Sequence, residues 1–150
     1  MRSTSFIRAL AAAAVMTAGL SSLAVASADP VSERQDTMKS IGQAMKDGVG
    51  LTAPATFDAA KAKAAMGTVA ADAKKLSTLF PAGSDTDPKT AADPKIWQNS
   101  DDFNKRLVEL ATLATTAGNA TSLDDYRPAF KAVGATCKSC HDVYRKKKPG

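Results

Sequence analysis

The segment SLDDYRPAFKAVGATCKSCHDVYR, residues 122–145, decides the fold. Leu123, Tyr126, Phe130, Val133, Cys137, Cys140 and Tyr144 recur at alternating steps of three and four, which places them on one stripe of an α-helix. Ser122 followed by Asp125 resembles a capping box with Asp in place of Glu. Pro128 is the irregularity: either it kinks this helix or the regular part begins only after it.

The same periodicity appears three more times upstream. Val31, Arg34, Met38, Ile41 and Met45 form one seam, ended by Gly48, Gly50 and Pro54. A second helix is expected from about residue 55 to residue 80, with Ala59, Ala62, Met66, Val69, Ala73, Leu76 and Phe80 on its stripe. Thr56 is its candidate N-cap, Asp58 sits in the first turn and Pro81 stops it. The stretch from Pro81 to Asp93 reads as a long loop. Asp93-Pro94 then opens a short turn carrying Ile96 and Trp97. Ser100 is the expected cap of the next helix, whose stripe is Phe103, Leu107, Leu110, Ala114 and Ala117, and Gly118-Asn119 is its expected left-handed end. Nothing alternates with period two. Four amphipathic helices and three connections predict an all-α, up-down-up-down four-helix bundle.

Within the last helix, Cys137-Lys138-Ser139-Cys140-His141 is a Cys-x-x-Cys-His sequence, the attachment signature of c-type haem. On a helix the two sulfurs lie one turn apart on one face, so both reach the two vinyl groups of one porphyrin. His141, the next residue, can then stand under the iron as an axial ligand. A thioredoxin-like dithiol needs a preceding strand, and none is readable. A disulfide leaves His141 unexplained and closes a loop too short to gain much. Zinc fails on ligand number, because the chain has 2 Cys and 1 His. The prediction is one covalent haem c near the end of the last helix.

Composition agrees. Only 5% of the 150 residues are aromatic, so an Ala-rich bundle gains a large apolar body from a porphyrin. Arg2 and Arg8, the apolar run from Ala9 to Leu20 and Ala26-Ser27-Ala28 have the layout of a secretory signal peptide. The run is short of the ~20 residues that a spanning helix needs. Residues 1–28 are therefore expected to be cleaved, leaving residues 29–150 as one periplasmic domain. Haem attachment through thioethers belongs outside the cytoplasmic membrane, which supports export. The mature segment keeps 18 basic against 15 acidic residues, a mild excess that does not suggest nucleic-acid binding.

With the motif closing the last of four helices, the chain resembles the class II cytochromes c, that is, cytochromes c′ and their low-spin relatives. The resemblance covers residues 29–150. It rests on Arg34-x-x-x-Met38 with Ile41-Gly42, on Leu79-Phe80-Pro81-Ala82-Gly83, on Pro94-x-Ile96-Trp97 with Asp101-Asp102-Phe103, and on the haem motif with Tyr144-Arg145.

The sixth iron position has Met38, Met45, Met66, a Lys or nothing to fill it. In an antiparallel pair the start of the first helix lies beside the end of the last, which ranks Met38 first. Met45 is seven residues further on, roughly 10 Å along the axis, and Met66 reads as core filler. The resemblance implies either coordination by Met38, as in the low-spin relatives, or shielding of an open iron face, as in cytochromes c′. Arg34 occupies an apolar seam where a charge needs a partner. A haem propionate, the partner used by family members, is one; a place along the seam edge is the other. Arg145 resembles the basic residue that flanks the proximal haem face in the family. It also fits a solvated helix end, or docking onto an acidic redox partner. Trp97 packs on the haem edge or closes the bundle.

Two functions follow: a periplasmic electron carrier with a redox partner protein, or a binder of nitric oxide or carbon monoxide. Peroxide turnover lacks a distal proton shuttle, so no enzyme is expected. Small residues around Ala62 to Ala65 permit a homodimer.

Overall fold

The computed structural model describes residues 29–147. The expected signal peptide, residues 1–28, lies outside them. Four long helices and one short one make up the described chain: α1 (Pro30–Gly50), α2 (Ala59–Leu76), α3 (Lys95–Gln98), α4 (Ser100–Gly118) and α5 (Leu123–Tyr144). The described residues contain no strand, and none of their helices is long and apolar enough to cross a membrane.

Cap chemistry sets the ends. The Asp29 carboxylate accepts from the Val31 and Ser32 amides, with Pro30 in the first turn, so α1 starts at once. At α2 the cap is Asp58, not Thr56: its carboxylate accepts from the Ala60 and Lys61 amides. The Thr56 hydroxyl is spent instead on the Gly50 carbonyl (2.6 Å), closing the preceding turn. α2 also stops before the expected Phe80. Ser77 and Thr78 hydroxyls donate back to the Lys74 and Lys75 carbonyls at 2.7 and 2.9 Å, taking acceptors that the ladder would otherwise fill.

Ser100 is the first residue of α4, not its cap; Asn99 precedes it without a capping bond, its side-chain amide donating back to the Lys95 carbonyl instead. Asn119 ends that helix at φ −90°, so the expected left-handed cap is absent. Gly118 has a packing reason instead: a Cβ there would sit 3.2 Å from Met66 Cβ on α2. α5 is capped by Ser122 as expected, with the Asp125 amide donating to Oγ at 3.1 Å and the hydroxyl donating to the Asp125 carboxylate. Pro128 stays within a continuous helix. Its missing donor leaves the Asp124 carbonyl unpaired on an exposed face, where water serves.

α1 packs on α2, α2 on α4, and α4 on α5. α1 and α5, the other neighbours round the bundle, hardly meet along their backbones. They are tied at one end by the Tyr126 hydroxyl, which donates to the Gly48 carbonyl at 3.0 Å. There Tyr126 stacks on Phe130 at 5.4 Å between centroids, with Phe57 at 5.6 Å. Gly48 makes this end possible. A Cβ on it would lie 2.5 Å from Phe130 Cε2 and 2.9 Å from the Tyr126 oxygen. Gly48→Ala is therefore expected to cost about 1–3 kcal/mol by overpacking. Denaturant unfolding measures it, and an unchanged midpoint would show that the rings yield freely.

Candidate functional site

The opposite end carries the chemistry. Cys137 and Cys140 lie half-buried on α5, both as free thiols. Burial raises both pKa values, and for Cys140 the Arg106 guanidinium acts the other way. Both are protonated at neutral pH, the form whose S–H adds across a vinyl double bond. The pKa of His141 is lowered by partial burial and then by the charge of Arg145, against a smaller opposing effect of Asp142. A neutral imidazole keeps a nitrogen lone pair for a metal.

Helical phase shows where these groups point. Cys140 lies one turn before Tyr144, whose hydroxyl donates to Asp102 of α4, so this flank of α5 faces α4. His141 lies about 100° further round the helix, on the flank where Phe130 meets Gly48 of α1, and its own side chain is exposed. On α1 the buried centre is Arg34, Ile41 and Gly48. Thr37, Ser40 and Ala44 line grooves shared with α2 residues, so that flank faces α2. Met38 and Met45 are on the opposite flank, half-buried against the core. The Met38 and His141 flanks therefore converge on the α1–α5 seam. Met66 is fully buried between α2 and α4, a core residue as expected.

Arg34 is 5% exposed, and its partners belong to the 79–90 loop. Nη1 donates to the Leu79 carbonyl (3.4 Å) and Ser84 Oγ (2.9 Å); Nη2 donates to the Ser84 carbonyl (2.9 Å) and to Thr90 Oγ1. The guanidinium also lies over the rings of Phe80 and Trp97, at 5.0 and 5.8 Å from their centroids. Burial lowers its pKa, with Asp87 and Asp29 opposing. The seam-edge alternative thus fails for Arg34: its charge is enclosed. Trp97 closes this end of the bundle, with Nε1 donating to the Pro81 carbonyl at 3.1 Å. Arg145 is exposed at the end of α5, and its backbone bridges to Ala92.

A second group escaped the sequence reading. Asp102 Oδ2 accepts from the Tyr144 hydroxyl at 2.6 Å and from Arg106 Nε at 2.7 Å, and Arg106 lies over the Tyr144 ring. The hydrogen bond from Tyr144, then that from Arg106, hold the Asp102 carboxyl below its usual range. The i,i+4 spacing of Asp102 and Arg106 is the one local signal that could have flagged a helical ion pair. Nothing local joined it to Tyr144. The group fixes the last turn of α5 against α4 beside Cys140.

These donors fit a haem c: two protonated thiols one turn apart, a neutral imidazole directly after them and a thioether on the flank facing it. Among the described residues no cluster of three or more His, Cys, Asp and Glu could hold an ion alone.

Known proteins give the same answer. The sequence model described as Cytochrome C′ matches residues 29–145. The chain is 38% identical over 130 residues to a cytochrome c′ of Rhodopseudomonas palustris, covering 85% of this chain and 89% of that one. It is 39% identical over 128 residues to a cytochrome c-556 of Agrobacterium fabrum, covering 83% and 86%. The solved structure of cytochrome c′ from Rhodopseudomonas palustris superposes with a TM-score of 0.75 at 37% identity, over 82% of this chain and all of that one. The chain accordingly belongs to the cytochrome c′ family, the class II cytochromes c, whose cofactor is a covalently bound haem c.

Proposed function

We propose that this chain is a periplasmic electron-transfer cytochrome. Cys137 and Cys140 form the two thioethers, His141 is one axial ligand and Met38 is the other. What supports the reading is helical phase: the Met38 flank of α1 is turned from α2, and the His141 flank of α5 is turned from α4. When bound, the haem supplies a one-electron iron couple, and a thioether ligand raises its potential. The chain's own work is to hold the two axial groups on separate helices and to keep water from the seam. Met38 and Met45 carry no proton to give or take, which suits transfer rather than turnover.

Other residues take supporting parts. Arg145 sits one turn beyond His141, and its charge already acts on that imidazole, which fits the proximal face. The Nε–H of Arg34 makes no hydrogen bond to the described residues, which leaves it as the donor for a propionate. Arg145, Lys146 and Lys147 are exposed at one end and suit an acidic redox partner. Ala62 and Ala65 face the core, so a homodimer would use the outer groove of α1 and α2, where Ser40, Asp47, Lys61 and Ala64 lie. The family match begins at Asp29, the residue after the expected cleavage point.

In the alternative, the same positions serve a gas binder: α1 stands further off, and Met38 only lines an open site for nitric oxide or carbon monoxide. The slight backbone contact between α1 and α5 favours that geometry. The visible spectrum of the reduced protein decides. Sharp, split bands mean a filled sixth site. A broad high-spin band gives the protein to gas binding.

A further inference from the structure

The geometry points to Arg34 as a positioning residue that, through the 79–92 loop, holds the C-terminal turn of α5 and with it His141. The inference rests on the reading of His141 as an axial ligand but not on Met38. The guanidinium is enclosed, and all four Nη hydrogens go to loop oxygens. Gln35 adds a bond from its side-chain amide to the Lys89 carbonyl at 2.8 Å. Thr90 is the junction, because its Oγ1 accepts both from Arg34 and from the Ala92 amide (3.1 Å).

Ala92 is in turn bridged to Arg145. The Asp93 amide donates to the Tyr144 carbonyl at 2.9 Å, and the Lys146 amide donates to the Ala91 carbonyl at 2.8 Å. Tyr144 is three positions beyond His141 on the helix. Arg34 therefore reaches the axial-ligand helix through one hydroxyl and one short backbone bridge, where α1 and α5 themselves make little contact. Ser84 and Thr90 are buried with Arg34, so each lost bond leaves a polar group without water.

The haem-loaded Ser84→Ala/Thr90→Val protein tests this, because it keeps Arg34 intact. Hydrogen exchange of the Asp93 and Lys146 amides is expected to speed up by about tenfold or more. The Tyr126 amide, at the other end of α5, keeps its rate. The iron–imidazole stretching band, recorded by resonance Raman on the reduced Met38→Ala background, is expected to shift or broaden. Arg34→Gln should reproduce both effects, and Arg34→Lys should restore neither, since an ammonium cannot span four acceptors. Unchanged exchange in the Ser84/Thr90 protein overturns the inference. So does faster exchange with an unmoved Raman band, which would make the contact a loop staple without influence on His141. If the wild-type spectrum shows an open sixth site while both readouts move, Met38 falls as a ligand and the role of Arg34 stands.

Discussion

Replacing Met38 by Ala is expected to change the reduced spectrum from sharp, split bands to one broad high-spin band. It should also make the iron bind carbon monoxide readily. The expectation follows from position and chemistry together. Met38 and Met45 share the free flank of α1, but Met45 lies seven residues further along, about 10 Å on a straight helix. No flexible thioether spans that distance to replace its neighbour. A substituted Ala leaves the iron one ligand short and the seam one side chain wider.

Met38 is only half-buried, so truncation costs less than the 2–5 kcal/mol typical of a fully buried Met, and the bundle should survive it. Met38→His is the control: an imidazole at the same place is expected to keep a six-coordinate spectrum. An unaltered spectrum in Met38→Ala removes this residue from the ligand set. Ready carbon monoxide binding by the wild type would do the same.

How far the sequence could be read depended on the range of each interaction. The stripe from Leu123 to Tyr144 and the haem motif inside it are local patterns, and α5 forms over those residues. The helix ends were less legible, for a chemical reason. Thr56 and Asp58 both offer an oxygen to the first amides of α2, and only the fold showed that Thr56 is already bonded to Gly50. Apolar Phe80 extended the apparent stripe of α2 beyond its end. Leu79 is buried in the core without being helical. Gly118 looked like a left-handed cap, whereas its missing Cβ serves contact with Met66, more than fifty residues away in the chain.

The site divides in the same way. That Arg34 must have a partner was readable from one charge on an apolar seam. That Ser84 and Thr90 are partners was not, because they sit 50 and 56 residues away in a loop without periodicity. Tyr144 and Asp102 likewise meet across 42 residues. Spacing reveals what one helix presents; what a loop brings to it is decided by packing.

The Cys137→Ala/Cys140→Ala protein is expected to lose all covalent haem. Its mass should equal that of the polypeptide, and acidified organic solvent should extract any colour that remains. Either single variant keeps one thioether and stays coloured on a denaturing gel, since each thiol bonds a separate vinyl group. Stability should fall further in the double variant than two exposed substitutions would predict. Away from the Gly48 end α1 and α5 hardly meet along their backbones, and half-buried Met38, Met45, Cys137 and Cys140 lie on these two helices. A porphyrin bound there covers apolar surface that these helices do not cover for each other, worth roughly 25 cal/mol per Å². Tethering also keeps it at high effective concentration, so an untethered ring must win the same contacts from solution. Thermal unfolding of the exported wild type and double variant, compared at equal haem, measures that difference. Colour that withstands extraction in the double variant would show that neither sulfur is the anchor, and the reading of α5 as the haem-bearing helix would fall with it.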